Sequence, residues 1–253
     1  IGVTFSMAGV YRGMVDDGKV LLDNSGADMW VVQQKTLGPY AESSNINDDV
    51  YRMILTIPGV ERAANATYLT MQVRKGDTDV RAMVVGVATG DIRTPGWPPF
   101  LAAGRQITRG HYEAVADAAT GFALGDTIAI RRNRYTVVGL TRRAVSSSGD
   151  PMVFIPLKDA QEAQFIKDND SIVRQRRRTA ENSDFNRPGV PGLLDAVIAS
   201  QNSNPYVNAV LVRIRPGYDP ERIAADIARW KRLTVYTRPQ MEEILVGKLI
   251  ATS

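Results

Sequence analysis

The sequence predicts an α+β fold in which a split ferredoxin-like sheet, with helices on one side, is interrupted by an inserted β-rich module. Three observations indicate it. A β-α-β-β pattern precedes residue 100, a β-α-β pattern resumes after residue 203, and a hairpin pattern lies between them. We therefore predict one subdomain from residues 1–99 and 203–253, and an inserted subdomain from residues 100–202. A chain of 253 residues is long enough for both to have a core.

The first segment begins with a helix predicted over residues 3–22, followed by a strand over 28–33. Asn47 is expected to be the N-cap of the next helix, because its side chain suits that position. Two long strands, predicted over 63–74 and 80–87, then form a hairpin.

After residue 203 the pattern resumes with a strand predicted over 207–215. Asp219 is expected to cap a helix whose first position is proline. A strand over 233–236 precedes a last helix, for which Thr237 and Gln240 fit a capping box.

The inserted subdomain is centred on a hairpin of two strands, 127–130 and 135–138, which are rich in β-branched residues. The turn between them is polar, and Asn133 is expected to take a positive φ there. Gly139 marks a bend or bulge in the second strand.

Helical and polar segments flank this hairpin. A helix is expected over 114–119 before glycines end it, a strand over 152–155 and a helix over 158–166. The polar stretch 167–192 holds an arginine run and prolines, and we expect it to be mobile. A short helix over 193–200 leads back to the first subdomain.

Composition excludes several kinds of site. The chain has no cysteine, which excludes disulfides, thiolate metal sites and cysteine nucleophiles, and His111 is its only histidine. We expect His111 to be solvated or to cap a turn. The net charge of +4 is mild. Gly13–Lys19 has the spacing of a phosphate-binding loop, but Val20 replaces the Ser or Thr that would bind magnesium. The sequence predicts no catalytic, cofactor-binding or metal-binding residues.

An arginine run is the main candidate for a charged contact, with partner protein or anionic lipid headgroups as the ligand. Its members are Arg174, Arg176, Arg177 and Arg178. A solvated helix face or loop explains the same pattern. Aromatic residues do not interleave the arginines, and we expect no nucleic-acid partner.

Trp97 and Phe100 flank two prolines at the junction of the subdomains. They are candidates for a partner contact. Aromatic–proline packing that fixes the angle between the subdomains is the alternative.

Both ends of the sequence are apolar, in IGVTFSMAGV and EILVGKLIATS. A span of the bilayer needs roughly 20 apolar residues, which neither end reaches. We expect both to be ends of membrane helices that flank this chain as a loop between them; two ordinary amphipathic terminal helices are the alternative.

Four stretches carry a resemblance to a known family. They are GADMWVVQ, IPGV, GRQITRGHYEAVADAATGFALGDTIAIRRNRYTVVGL and DPMVFIPLKDAQEA. Together they resemble the extracytoplasmic (periplasmic) core domain of MacB-like and FtsX-like ABC transporter permeases, over nearly the whole chain. The stretch from DMWVVQ to LGPYAESS is most similar to the heterocyst-type (DevC-like) exporter branch.

The resemblance implies a porter-like α+β subdomain with an inserted β-rich, barrel-like subdomain, between the first two transmembrane helices of an inner-membrane permease. Such a domain is not an enzyme and holds no cofactor. The implied partners are those transmembrane helices, a second permease copy, an ABC ATPase subunit or domain, and a membrane-fusion adaptor protein. The implied function is to couple cytoplasmic ATP hydrolysis to periplasmic motion during efflux or lipid or lipoprotein export.

Two other functions remain open. One is an FtsX-like binding module that recruits and regulates a cell-wall hydrolase, and it predicts a tight complex with a soluble enzyme. The other is an enzyme in which His111 acts with a carboxylate.

Overall fold

The computed structural model describes residues 2–40, 44–164, 177, 205–230 and 233–251. In chain order the described elements are α1 (Gly2–Ser25), β1 (Met29–Gln33), β2 (Ile46–Asn47), α2 (Val50–Ile54), β3 (Val60–Lys75), β4 (Thr78–Val87), β5 (Leu101–Gly104), β6 (Glu113–Asp117), a 3-10 turn (Ala118–Thr120), β7 (Thr127–Ile130), β8 (Asn133–Thr141), β9 (Met152–Pro156), α3 (Leu157–Gln164), β10 (Tyr206–Val207), β11 (Ala209–Ile214), α4 (Pro220–Ala228), β12 (Leu233–Thr237) and α5 (Arg238–Ala251).

A large mixed sheet organises the fold, with the strand order β12-β1-β11-β3-β4-β9-β6-β8-β5. β7 pairs with β8 and touches β3, while β2 and β10 form a separate pair. The predicted β-α-β-β and β-α-β units supply β12 to β4 of this order, which confirms an α+β fold with a split sheet. β4 pairs in parallel with β9, so the sheet runs across the predicted boundary at residue 100. The division into two subdomains stays a prediction.

The two faces of β1 carry different helices, because successive side chains of a strand point in opposite directions. Met29 and Val31 pack with the apolar side chains of α2 and α4. Trp30 and Val32 pack with those of α1 and α5, so the expected placement of helices on one side holds for α2 and α4 but not for the terminal helices. These four of the five β1 residues are fully buried, so the strand is covered on both faces.

The helix expected over 114–119 is wrong. Those residues form β6 and the 3-10 turn after it. β6 lies between β8 and β9, and all five of its residues are buried. Its alanines favour a helix locally, but burial on both faces of a sheet outweighs that propensity.

The predicted turn residue of the β7–β8 hairpin is also wrong. Ile130 pairs with Asn133, so the turn consists of Arg131 and Arg132 alone. Arg131 takes the positive φ of 55°, and Asn133 begins β8. A two-residue hairpin turn requires left-handed backbone within the turn itself, whatever residues occupy it.

Three other predictions, of a hairpin, a bulge and a helix cap, agree with the structure. The β3–β4 hairpin is confirmed, with Gly76 in its turn. The bulge at Gly139 is confirmed, because the β6–β8 register shifts between Ala114 and Val115 opposite it. Asp219 caps α4 by accepting a hydrogen bond from the Glu221 N–H, at 3.1 Å.

The N-cap expected at Asn47 is wrong by two residues. Asp49 precedes the first residue of α2, and the Asn47 side chain accepts a hydrogen bond from the Asp49 N–H at 3.2 Å. Except for Arg177, the mobile segment expected over 167–192 lies outside the described residues, as does the helix expected over 193–200.

Candidate functional site

The first and last helices pack side by side. A Cβ placed on Gly18 of α1 would lie 3.8 Å from the Leu245 Cβ of α5. Further along α1, Asp23 forms an ion pair with Arg238 at the start of α5. The later residue of α1 thus contacts the earlier residue of α5, so the two helices are antiparallel.

Among the side chains that the structure describes, those of the α1–α5 pair that are anchored in the core lie at one end of it. Leu22 of α1, with Met241 and Leu245 of α5, is fully buried against the sheet. Residues 2–17 of α1 extend about 24 Å beyond the contact at Gly18, at 1.5 Å per residue. Along this extension the described side chains, Arg12 and Asp16 among them, are exposed. The far end of α5 extends in the same direction.

Within the described residues, no helix combines the length and the apolar character that crossing a bilayer requires.

The structure separates the two aromatic candidates at the junction. Trp97 is only 8% exposed, belongs to the same core cluster as α1, and donates its Nε1–H to the Asp91 carbonyl at 3.1 Å. Phe100 is 80% exposed at the start of β5. Trp97 therefore has a packing role in the core, and the contact predicted at Phe100 stays a prediction.

Of the predicted arginine run, Arg177 lies within the described residues and is exposed. Arg174, Arg176 and Arg178 lie outside them. The structure brings none of the described candidates together into one site.

A cluster that the sequence did not predict surrounds Glu113, at the start of β6. One carboxylate oxygen of Glu113 accepts the N–H groups of Thr108 and Arg109, at 3.0 and 2.8 Å. The other accepts from the Arg105 guanidinium. Burial alone raises the pKa of Glu113, but the hydrogen bonds from Arg105, Arg109 and Thr108 outweigh it and lower that pKa to about 2. A buried carboxylate thus shapes the loop of residues 105–113.

His111, in the same loop, contacts a second buried carboxylate. Its Nδ1 lies 2.6 Å from Oδ1 of Asp159, which is in the first turn of α3. A carboxylate only accepts, so the proton is on Nδ1. The other oxygen of Asp159 accepts the Tyr112 N–H at 2.9 Å. Asp159 is 1% exposed, whereas the His111 ring is 59% exposed.

Together these residues form a cleft of about 570 Å³. Its lining includes Arg105, Arg109, His111 and Tyr112 from the loop, and Thr136 and Val138 from β8. Tyr112 has a positive φ of 62°, and the residue is half exposed at the cleft. We name this feature the 105–113 cleft. The cleft contains His111 with a carboxylate, the pair that the alternative enzymatic function would need. Among the described residues, however, no hydroxyl group that could serve as a nucleophile is hydrogen-bonded to the His111 ring.

Neither a metal nor a nucleotide site emerges from the described part of the chain. No group of three or more His, Cys, Asp or Glu side chains there is arranged to hold a metal ion. Gly13–Lys19, with the spacing of a phosphate-binding loop, lies inside α1 and not in a loop after a strand.

Solved structures of ABC-type transporter domains share this fold. The periplasmic region of MacB from Actinobacillus actinomycetemcomitans aligns with a TM-score of 0.52 and 12% identity, over 92% of this chain and 98% of that one. The extracellular domain of the noncanonic ABC-type transporter YknZ from Gram-positive bacteria aligns with a TM-score of 0.50 and 12% identity, over 83% of this chain and 99% of that one. This chain therefore shares its fold with both of these domains.

The family follows from the sequence itself. The model of the MacB-like periplasmic core domain matches residues 1–230, and the chain belongs to that family. As a MacB-like periplasmic core domain, it is a domain of an ABC transporter permease. The resemblance seen in the sequence is confirmed at this level, while the heterocyst-type branch stays a prediction.

Curated relatives agree with the family. Two uncharacterized ABC transporter permeases, from two strains of Mycobacterium tuberculosis, are each 25% identical over 164 residues. The alignment covers 65% of this chain and 46% of each relative. The chain therefore spans about half the length of the curated relatives that it matches.

Proposed function

We propose that this chain is the extracytoplasmic body of an inner-membrane ABC exporter permease, and that the α1–α5 pair transmits movement from the membrane to that body. ATP hydrolysis belongs to a separate subunit or domain. The other partners are transmembrane helices of the same permease, a second permease copy and a membrane-fusion adaptor protein. Family membership over residues 1–230 supports the transporter setting.

The observation that carries the proposal is the antiparallel α1–α5 pair. Two helices that leave a folded body side by side, in one direction, enter one membrane plane together. An α-helix is stiff along its axis because each turn is hydrogen-bonded to the next. A shift of the membrane ends therefore reaches Leu22 and Leu245, which are buried in the core of the body.

A helix break in α1 tests this transmission. Proline at an exposed, interior helix position removes a backbone hydrogen bond and costs about 3 kcal/mol locally. Arg12 is such a position, exposed and in the interior of α1. Arg12→Pro in the whole permease is expected to leave the ATPase rate intact while movement of the body is lost.

The readout uses a spin label at position 222, an exposed site on α4, in both copies of the permease. The distance between the two labels is measured without nucleotide and in the vanadate-trapped state. The nucleotide-dependent change is expected with the control Arg12→Ala and not with Arg12→Pro. An unchanged distance shift in Arg12→Pro would contradict the proposed transmission.

A further inference from the structure

We propose that the 105–113 cleft binds an acidic segment of a partner protein. Its acidic and basic groups are arranged in two layers. The carboxylates of Glu113 and Asp159 are 7% and 1% exposed. The guanidinium of Arg105 is half exposed and Arg109 is exposed. The surface that a ligand meets is therefore basic, although acidic groups lie directly beneath it.

Both buried carboxylates are hydrogen-bonded within the cleft and barely exposed, so a ligand meets the guanidinium groups and not the carboxylates. Glu113 neutralises Arg105. Asp159 uses both oxygens on the His111 ring and the Tyr112 N–H. Within the described parts of the chain, the Arg109 guanidinium has no carboxylate within ion-pair distance. Its backbone N–H is held by Glu113, so the base of this free guanidinium is fixed.

The floor of the cleft also carries basic and polar side chains. Thr136 and Val138 lie on the outward face of β8, and Arg134 precedes them on that face because side chains alternate along a strand. Arg134 is exposed and Thr136 supplies a hydroxyl. An extended chain lying along β8 would meet Arg134 next to Thr136, on the same face of the strand.

Size and chemistry favour a peptide over a bare anion or a lipid headgroup. A volume of about 570 Å³ is within the range of ligand-binding clefts and far exceeds a single phosphate. Arginine pairs with carboxylates and phosphates alike, through two parallel hydrogen bonds, so the size of the cleft and its aromatic surface decide in favour of a peptide. The half-exposed Tyr112 adds an aromatic surface of the kind enriched at protein interfaces.

The identity of the partner rests on the proposed function, in which an adaptor meets this body outside the membrane. Binding itself does not, because it is measured with this chain alone. Fluorescence anisotropy with a labelled hexaglutamate peptide at low salt is the assay. We expect saturable binding that Arg109→Gln weakens about tenfold, the effect of losing one charge-assisted hydrogen bond. Arg109→Glu weakens it further.

Matched controls separate this site from general attraction to a chain of net charge +4. Arg222→Gln, at an exposed arginine on α4, is expected to leave the affinity unchanged, and hexaglutamine is expected not to bind. Equal losses in Arg109→Gln and Arg222→Gln would overturn the proposal. So would displacement of the peptide by an equal concentration of inorganic phosphate, or binding of phosphatidylglycerol vesicles that Arg109→Gln abolishes. Failure of these tests leaves the Arg12→Pro experiment unaffected.

Discussion

Replacing Glu113 by glutamine removes the buried charge that holds the 105–113 loop. The pKa of Glu113 falls from 4.5 to about 2 on folding, and each pKa unit corresponds to about 1.4 kcal/mol. Glu113 therefore contributes up to about 3 kcal/mol to the free energy of unfolding at pH 7. The half-exposed Arg105 is screened by water, so about 2–3 kcal/mol is expected for Glu113→Gln in urea unfolding.

The pH dependence gives the sharper test. A carboxylate whose pKa is lowered by folding stabilises fully above its unfolded pKa, and this stabilisation is lost as pH falls through the folded value. The difference between wild type and Glu113→Gln should be constant above about pH 5 and fall by roughly half at pH 3. Glu61→Gln, at an exposed strand position, is the control and should change little at either pH. A difference below about 1 kcal/mol at pH 7, or one that does not vary with pH, would refute the reasoning.

Two further predictions concern local structure. Asp219→Ala removes the cap of α4 and should lower the free energy of unfolding by about 1 kcal/mol, measured by urea titration; no loss would mean that the cap hydrogen bond at 3.1 Å is not made in solution. Arg131→Gly relieves a positive φ of 55° and should stabilise by up to about 1 kcal/mol, whereas Asn133→Gly should not. The reverse order would restore Asn133 as the left-handed turn residue.

Sequence reasoning succeeded where the signal is local. The β3–β4 hairpin alternates apolar and polar residues on both sides of a glycine turn, and the cap at Asp219 is followed by proline. It failed where tertiary context decides. β6 is a strand because it lies between β8 and β9, which are far from it in sequence. An alanine-rich segment does not by itself indicate which strands will lie beside it in the fold.

The 105–113 cleft was missed for a related reason. His111 and Asp159 are separated by 48 positions and meet only because α3 follows β9, which pairs with β6. Such a pair has no periodic spacing in the sequence. Nothing in the sequence distinguishes Glu113 from other charged residues. Its role is visible only in the structure, where the turn at Thr108 and Arg109 directs two N–H groups at its carboxylate. The sequence shows that His111 is the only histidine, but it does not show that Asp159 is its partner.

A disulfide between α1 and α5 tests whether the two helices move as one rigid unit, as the proposed transmission requires. Cysteines at Gly18 and Leu245 would place their Cβ atoms 3.8 Å apart, which suits a disulfide, and the chain has no other cysteine. Lys19→Cys with Leu245→Cys is the control that should not close. The measurement is the nucleotide-dependent distance between spin labels at position 222, in the whole permease, with the disulfide oxidised and reduced. A rigid pair gives the same distance change in both states; a change that oxidation abolishes and reductant restores would contradict the proposed transmission.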